Sequence, residues 1–445
     1  MSFARYPAYK DSGVEWLGEV PEHWVVTALK RGFQVTLGKM LQPESTNPDD
    51  ELLPYLRAAN IQWDGVDATE VKTMWISARD RAQLSLKKGD LLVSEGGDVG
   101  RSCLWNNELE ICYFQNSVNR VRALAGNSNR YLYYWMSVVK DKGYIDVLCN
   151  KSTIAHFTAE KVAAVPVPFP PANEQQAIAT FLDIETAKID GLMAEQRALV
   201  ALLKEKRQAV ISHAVTKGLN PAAPMKDSGV AWLGEVPGHW AVRPIAKAST
   251  KITNGFVGPT RDILVETGTP YIQATHIKNG RINFDNEYFV RQEWSNAHSK
   301  SVLCSGDVLI VQTGAGTGDV GLVSEAEIGF NCHALIIIAP DKTILNGTFL
   351  SAVLQSTYGQ EKLSSIETGA MHPHLNCGQV KFLEVPVPPL IEQAEIVRFS
   401  NETTKMLDTL TQEAQTAIAL LQERRTALIS AAVTGKMDVR AVVAA

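Results

Sequence analysis

The chain has 445 residues, of which 45% are hydrophobic and 20% are charged, and its formal net charge is −5 at pH 7. This length exceeds one ordinary hydrophobic core and predicts a globular protein of two to four domains. No region is basic enough to indicate nucleic-acid binding by charge alone, and no apolar run approaches the ~20 residues of a membrane-spanning helix.

Cysteine usage and the first residues bear on the compartment. Six cysteines without a C-x-x-C pair indicate neither a disulfide framework nor a zinc knuckle. The N-terminal sequence lacks the apolar core of a signal peptide. Together these features predict a cytoplasmic protein.

An internal repeat divides the chain into two copies of one module. Residues 10–24 read KDSGVEWLGEVPEHW and residues 226–240 read KDSGVAWLGEVPGHW, with thirteen of fifteen positions identical at an offset of 216. Later in each copy, the sequence VPVP is followed by a Glu-Gln pair, at residues 165–175 and 385–393. The ends of the copies resemble each other and the middles differ, which predicts one scaffold with two binding specificities.

The tryptophans of the repeated motif are expected to be structural. They are Trp16, Trp24, Trp232 and Trp240. A reader of variable sequence is expected in the divergent part, so we predict that these side chains are packing anchors rather than platforms for stacked bases.

The variable middles, about residues 25–150 and 241–375, have the pattern of short strands broken by turns. Apolar segments at residues 131–136 and 349–354 predict one buried helix in each copy. A Gly-Asp pair opens a strand in both copies, and a glycine-rich loop follows that strand. Neither loop contains G-x-x-x-x-G-K-[ST], so a tight turn is the favoured interpretation, with close approach to a DNA phosphate as the alternative.

The sequence also contains several possible metal ligands. The possible ligands Cys332, His333, His372, His374 and Cys377, with His156 in the first copy, match no standard zinc spacing. No nucleotide-binding loop, G-x-S-x-G sequence or amino-methylation tetrapeptide is present. We therefore predict no metal ligand and no catalytic residue in this chain.

Each copy ends in a long amphipathic segment. Residues 174–217 contain no proline and a single glycine, and residues 392–434 contain neither. Apolar side chains recur at a 3–4 spacing, the pattern of a coiled-coil seam, and each helix should span about 60–65 Å. Prolines precede both segments, and Gly218 and Gly435 are expected to end them. Two such helices, each after a globular segment, predict an antiparallel pair.

These features predict an α/β (α+β) fold class with two pseudo-symmetric globular domains separated by two long antiparallel coiled-coil helices. The expected domains are residues 1–158, 159–218 (first long helix), 219–377 and 378–445 (second long helix). The two-fold relation further predicts that Gly435 lies close to Lys10, because Gly218 is joined to the second tryptophan motif by a short link.

The repeated WLGEVPxHW motif, the VPVP and Glu-Gln element and the long helix behind it closely resemble the specificity (S) subunits of type I restriction-modification enzymes. The resemblance covers nearly the whole chain. It implies two target-recognition domains that each read half of a bipartite, asymmetric DNA site, with the paired helices setting the gap. It also implies a non-catalytic chain that joins double-stranded DNA, two adenine methyltransferase (M) subunits and motor-nuclease (R) subunits. S-adenosylmethionine, ATP and Mg²⁺ are then expected on those partners.

Base readers are expected among polar residues of the variable parts, because Arg pairs bidentately with guanine and Asn or Gln with adenine. The candidate DNA-binding residues are Arg57, Asn60, Arg101, Asn116, Gln273, His276 and Lys278. Two alternatives stay open: a free-standing DNA methyltransferase or nuclease, and a coiled-coil scaffold that binds two proteins instead of DNA.

Overall fold

The structure is a computed structural model that describes residues 4–149, 156–278, 280–369 and 373–443. The chain divides into two compact units, unit 1 (residues 1–196 and 417–445) and unit 2 (residues 197–416). Each unit contains one tryptophan motif, the variable middle that follows it and a part of both long helices. The four consecutive domains expected from the sequence therefore differ from the compact units, because each long helix contributes to both.

In the described part of the first copy, short strands and four helices precede the first long helix. The strands are β1 (Tyr9–Asp11), β2 (Glu19–Pro21), β3 (Val25–Ala28), β4 (Phe33–Leu37), β5 (Glu51–Leu56), β6 (Ile61–Gln62), β7 (Gly65–Val66), β8 (Lys72–Ile76), β9 (Leu91–Ser94), β10 (Ser102–Leu104), β11 (Tyr113–Phe114), β12 (Val118–Ala123) and β13 (Pro166–Phe169). The helices are α1 (Ala78–Leu84), α2 (Asn129–Asp141), α3 (Tyr144–Leu148), α4 (Ala159–Ala164) and the long α5 (Ala172–Lys217).

The second copy repeats this order. Its strands are β14 (Met225–Asp227), β15 (Glu235–Pro237), β16 (Ala241–Pro244), β17 (Ser249–Asn254), β18 (Leu264–Val265), β19 (Thr269–Ile272), β20 (Ile277–Lys278), β21 (Arg281–Ile282), β22 (Phe289–Val290), β23 (Val308–Val311), β24 (Val320–Leu322), β25 (Asn331–Cys332), β26 (Leu335–Pro340) and β27 (Glu384–Val387). Its helices are α6 (Gln292–Ala297), α7 (Gly347–Gln355), α8 (Thr357–Ser365), α9 (Cys377–Val380) and the long α10 (Leu390–Val433), followed by α11 (Arg440–Val443).

The same four-stranded antiparallel sheet lies in each copy. Its order is β10-β9-β12-β4 in unit 1 and β24-β23-β26-β17 in unit 2. Every residue of β9 and β23 is buried, in agreement with their continuous apolar runs, since a central strand is covered on both faces. A second sheet combines a parallel and an antiparallel pair, in the order β11-β5-β8 in unit 1, and its counterpart in unit 2 has the order β18-β22-β19-β25.

The Val-Pro-Val-Pro element forms a strand beside the strand that follows the tryptophan motif. β13 pairs with β3 in unit 1, and β27 pairs with β16 in unit 2. The buried helices predicted in the variable parts are confirmed as α2 and α7, whose N-caps are Ser128 and Asn346. We call residues 25–150 head 1 and residues 241–375 head 2.

A hydrophobic core in each unit joins the tryptophan motif to parts of both long helices. In unit 1, Trp24 lies in one cluster with Leu182 of α5 and Val433 of α10. In unit 2, Trp240 lies in one cluster with Val215 of α5 and Ile396 of α10. Burial of these large side chains on both helices stabilises the attachment of each helix segment to its head.

The long helices run antiparallel within each unit. In unit 1 the Arg425 Nε of α10 donates to Asp190 Oδ1 of α5 at 2.9 Å. In unit 2 the Arg207 Nε of α5 donates to Asp408 Oδ1 of α10 at 2.9 Å. The two pairs are equivalent at an offset of 218. Because all four side chains are partly exposed, each pair contributes about 1 kcal/mol or less, and its main effect is on register.

Both long helices end at a glycine with left-handed backbone, as the sequence predicts. Gly218 has φ +77° and lies against Trp240, and Gly435 has φ +73° and lies against Pro21 and Trp24. The predicted proximity of Gly435 to Lys10 is confirmed within unit 1, where the adjacent Tyr9 hydroxyl donates to the Gly435 carbonyl at 3.0 Å.

The prediction that the motif tryptophans are packing anchors holds for three of them and is wrong for Trp232. Trp24 and Trp240 are buried, and Trp16 stacks on Trp135 with ring centroids 5.5 Å apart. Trp232 is 60% exposed. The positions in unit 2 that correspond to its expected aromatic neighbours hold Val353 and Lys362, and only the Lys362 ammonium lies over the ring, at 4.9 Å. Among the described helices, none is long and apolar enough to cross a membrane.

Candidate nucleic-acid interface

A short 3-10 turn lies at the same place in both heads, directly after β5 and after β19. It spans Ala58–Asn60 in head 1 and Ala274–His276 in head 2. The residue before each turn is a predicted base reader, Arg57 in one head and Gln273 in the other. The backbone structure of the turn, which we call the frame, is therefore shared by the heads, and the side chain that precedes the turn differs between them.

Two of the predicted base readers, Asn60 and His276, close these turns from inside. The Asn60 Oδ1 accepts from the Arg57 backbone N–H at 2.9 Å, and its Nδ2 donates to the Asp67 carbonyl at 2.8 Å. Both side chains are buried, with 4% and 2% of their surfaces exposed. Their hydrogen-bonding groups are used within the head, so their assignment as base readers is corrected to a structural role.

His276 performs this role as a neutral ring. Its Nδ1 accepts from the Gln273 backbone N–H at 2.8 Å, and its Nε2 lies 2.7 Å from the Asn286 carbonyl. These partners require an acceptor at Nδ1 and a proton at Nε2. Burial lowers the pKa of His276 below its ordinary value, which favours the same neutral form.

Head 1 brings three of its predicted readers together around the turn. The Arg101 Nη2 donates to the Ala58 carbonyl at 3.3 Å, and the Ala58 N–H donates to the Ser117 hydroxyl at 3.1 Å. Asn116 precedes that serine, and its backbone N–H donates to the Lys39 carbonyl at 2.9 Å. Arg57, Arg101 and Asn116 thus surround one half-buried turn.

The two arginines keep donors that the described part of the chain does not satisfy. The Nε atoms of Arg57 and Arg101 are buried and have no hydrogen-bond partner there. Such a group costs about 1–3 kcal/mol unless water or a ligand accepts its hydrogen. Because these Nε atoms are buried, it is the terminal Nη groups of each guanidinium that suit the paired acceptors of a guanine edge or a phosphate.

Head 2 places Gln273 and Lys278 on the corresponding turn and hairpin. Gln273 is half-buried and Lys278 is exposed at the end of β20. Lys278 lines a cleft of about 1300 Å³ inside unit 2. The basic residues of this cleft are Lys204, Arg207, Lys278 and Arg281. Asp285, Asp319 and Asp408 also line the cleft, and Arg207 pairs with Asp408, so Lys204, Lys278 and Arg281 are the cations that suit a phosphate backbone.

The glycine-rich loops are tight connections between antiparallel strands, as the favoured interpretation holds. One joins β9 to β10 and the other joins β23 to β24. The loop in head 2 leads to Asp319, an exposed carboxylate that the sequence prediction omitted. Its position corresponds to Arg101, a relation that becomes visible only from the strand hydrogen bonds because the two loops differ in length.

No group of three His, Cys, Asp or Glu side chains that could hold a metal ion occurs among the described residues. His372, one of the possible ligands considered from the sequence, lies outside them. Cys332 is buried, and burial raises the pKa of its thiol to about 12, which disfavours the thiolate that a metal requires.

The chain is similar to known proteins along most of its length. The family described as Type I restriction modification DNA specificity domain matches residues 21–199 and again residues 240–419. The specificity subunit of type I restriction enzyme StySPI from Salmonella potsdam is 24% identical over 434 residues, which cover 94% of this chain and 90% of that protein. The EcoBI specificity subunit from Escherichia coli is 25% identical over 359 residues, which cover 78% and 73%.

Solved structures share the fold. A chain from work on complex assembly and conformational transition of the type I R-M system has a TM-score of 0.70 at 15% identity, and covers 93% of this chain and 98% of its own length. The HsdS subunit from Thermoanaerobacter tengcongensis has a TM-score of 0.52 at 16% identity, with coverages of 94% and 98%. The predicted fold class and the resemblance stated from the sequence are both confirmed. With two family matches that together cover most of its length, the chain belongs to the type I restriction-modification DNA specificity family.

Proposed function

We propose that this chain is the DNA sequence-specificity subunit of a type I restriction-modification complex, in which each head reads one half of a bipartite, asymmetric site. The observation that carries the proposal is a duplicated frame with different polar side chains at equivalent positions. Arg57 and Gln273 precede the same 3-10 turn. Two different side chains at equivalent positions of the two heads suit two half-sites with different base sequences on one duplex.

The helices and the partners complete the proposal. The antiparallel pairing of α5 with α10 sets the gap between the half-sites and docks two adenine methyltransferase (M) subunits, and motor-nuclease (R) subunits join them. The chain itself is non-catalytic, and S-adenosylmethionine, ATP and Mg²⁺ are bound by the partners. A net charge of −5 fits this division, because partners that close around the duplex supply most phosphate contacts.

The two alternatives have less support. The family match is to a DNA specificity domain and indicates no enzymatic family, which disfavours a free-standing methyltransferase or nuclease. Methyl transfer by the purified chain alone would revive that alternative. A scaffold for two proteins does not require heads that differ in base-pairing side chains, and DNA-independent capture of two proteins would support it.

Head replacement tests the proposal directly. Replacing residues 25–150 with the corresponding segment of another family member should change one half of the methylated site and leave the other half and the gap unchanged. Replacing residues 241–375 should change only the other half. Methylome sequencing of cells that carry each complex reads both halves at once, and a replacement that altered both halves would contradict independent reading.

A further inference from the structure

Arg101 and Asp319 occupy the same position in the two heads. The Ser94 N–H donates to the Arg101 carbonyl at 2.8 Å, and the Val311 N–H donates to the Asp319 carbonyl at 2.8 Å. Each residue directly precedes the second strand of its hairpin, β10 or β24. The equivalence is thus fixed by backbone hydrogen bonds, although the loop before Asp319 is one residue longer.

Opposite charges therefore stand at one place on a common backbone structure, and neither forms an ion pair with a residue that the structure describes. Arg101 makes a single hydrogen bond, to the Ala58 carbonyl, and no ion pair with any described residue. Among the described residues, none donates to the Asp319 carboxylate. A Cβ on Gly316 would lie 2.8 Å from Asp319 Oδ2, so the glycine leaves room for the carboxylate.

The surroundings of Asp319 decide what it can contact on DNA. It lines the cleft of unit 2 together with Lys204, Lys278 and Arg281, which form no ion pair with described residues. These cations attract phosphates, whereas a carboxylate repels them. Asp285 and Asp408 line the same cleft, and Asp408 pairs with Arg207. Of these carboxylates, Asp319 stands at the hairpin position equivalent to Arg101, and the donors that it can meet in the major groove of a duplex are base amino groups.

We propose that this position reads a G·C pair in both half-sites, with the pair in opposite orientations: Arg101 donates to guanine, and Asp319 accepts from cytosine. The inference rests on the proposed function and deepens it by naming a base pair and a residue in each head. Because the hairpins are equivalent, the same backbone position can read either base of a G·C pair. A donor side chain at this position, Arg101, reads guanine, and an acceptor side chain, Asp319, reads cytosine.

The chemistry of the base edges selects these partners. Guanine presents two acceptors, O6 and N7, which match two guanidinium donors. Cytosine presents the N4 amino donor and carries no major-groove acceptor of its own. In adenine the N6 donor lies next to the N7 acceptor, which repels a carboxylate, so cytosine is preferred to adenine.

The test uses the chain in complex with its M subunits and a DNA library with both half-sites randomised. The wild-type complex should select a guanine that depends on Arg101 in one half and a cytosine that depends on Asp319 in the other. Asp319→Asn should replace the preference for cytosine by one for adenine, a change of about tenfold or more, because an amide pairs with N6 and N7. Asp319→Glu should retain cytosine.

The matched controls separate base reading from loss of charge. Asp285→Asn removes an exposed carboxylate from the same cleft and should change affinity and its salt dependence while leaving the selected sequence unchanged. Arg101→Gln should change guanine to adenine in the other half-site only. Assembly of each variant complex is verified by size-exclusion chromatography, and Arg101→Gln tests the idea independently if a variant of Asp319 does not assemble.

Two outcomes overturn the inference while leaving the proposed function intact. The first is a wild-type site in which either half contains no specified G·C pair. The second is an unchanged site for Asp319→Asn and Arg101→Gln in complexes that still select two half-sites. If the wild-type complex selects no bipartite site, the proposed function itself fails.

Discussion

Asn60 and His276 do the same work in the two heads with side chains of different acid–base behaviour. Each closes a 3-10 turn by accepting a hydrogen bond from the backbone N–H of the residue that precedes the turn. The distance is 2.9 Å in head 1 and 2.8 Å in head 2. An amide does so at any ordinary pH, whereas an imidazole does so only when Nδ1 is unprotonated. The two units should therefore respond differently to acid.

Burial holds the pKa of His276 below its ordinary value of 6.5. The unfolded chain then binds the proton more readily than the folded chain, so unit 2 loses stability as pH falls from about 6.5 towards the lowered pKa. His276→Asn should flatten this dependence without abolishing it, because burial also lowers the pKa of His333. Hydrogen exchange of amides in unit 2 between pH 7.5 and 5 measures the effect. Asn60→His should introduce acid sensitivity into unit 1, and a response to neither change would contradict the assignment.

At this scale the sequence predicts the position of the site better than the roles of single residues. Asn60 and His276 have the residue types of base readers, but their backbone partners become visible only when the turn is folded. Asp319 was missed for a related reason: one extra residue in its loop hides the equivalence with Arg101 from a comparison of residue spacing. Trp232 shares its motif with Trp16, yet its exposure depends on Val353 and Lys362, which lie far along the chain.

At the scale of elements, a glutamate in the first turn of each long helix fastens that helix to its tryptophan motif. Glu174 accepts from the Tyr6 hydroxyl at 2.6 Å, the Trp24 indole at 2.9 Å and His23 at 2.9 Å. Glu392 accepts from the Trp240 indole at 3.0 Å and contacts His239 at 2.7 Å. The side chain of Glu174 is 3% exposed and that of Glu392 is 24% exposed.

Removal of these carboxylates should therefore have unequal effects. Glu174→Ala leaves buried donors without an acceptor and should lower the free energy of unfolding of unit 1 by about 3 kcal/mol. Glu392→Ala should cost unit 2 about half as much, because water reaches the donors that it leaves. Urea denaturation followed by hydrogen exchange in each unit distinguishes them. Glu395→Ala, an exposed position in the same helix, is the control, and equal losses for Glu174 and Glu392 would contradict this account.

Two glycines associated with the long helices should respond oppositely to alanine. Gly435 has φ +73°, and a Cβ there would lie 2.2 Å from Pro21 Cδ, so Gly435→Ala combines backbone strain with a clash and should destabilise unit 1 by about 2 kcal/mol or more. Gly191 lies within α5 with no atom within 4 Å of an added Cβ. Gly191→Ala should stabilise the helix by about 1 kcal/mol. Thermal unfolding of both variants measures the contrast, and a neutral Gly435→Ala would contradict the proposed packing.

The elements themselves follow from local sequence far more directly than the site does. The long helices are predicted by their apolar spacing and by the prolines and glycines at their ends, and the structure has them at Ala172–Lys217 and Leu390–Val433. The buried helices α2 and α7 follow from continuous apolar segments with polar N-caps. The division into units does not follow from local pattern, because it depends on which part of each helix packs against which tryptophan motif.

At the scale of the whole molecule, the segments that flank the repeat meet inside unit 1. The Asp438 N–H donates to the Ala4 carbonyl at 2.8 Å, and the Tyr9 hydroxyl donates to the Gly435 carbonyl at 3.0 Å. The Arg440 guanidinium lies 4.9 Å from the centre of the Tyr6 ring. In unit 2 the link of residues 218–225 connects the equivalent places covalently. The helix end and the tryptophan motif thus meet in the same way in both units, once through a peptide link and once through side-chain and backbone contacts.

A circular permutant tests this equivalence. A short flexible linker from Val443 to Ala4 replaces the contacts in unit 1 by a covalent link, and the chain is opened between Asn220 and Ala223, in a link whose residues 219–222 are exposed. The permutant should fold, assemble with its partners and select the wild-type bipartite site, because the opening cuts an exposed link and leaves both cores intact. DNA selection and thermal unfolding are the measurements.

The control permutant is opened between the buried Tyr134 and Trp135 of α2, and its unit 1 should not fold. A permutant opened at the 220–223 link that folds but selects a different site would show that this link positions the heads, and would contradict the pseudo-symmetry.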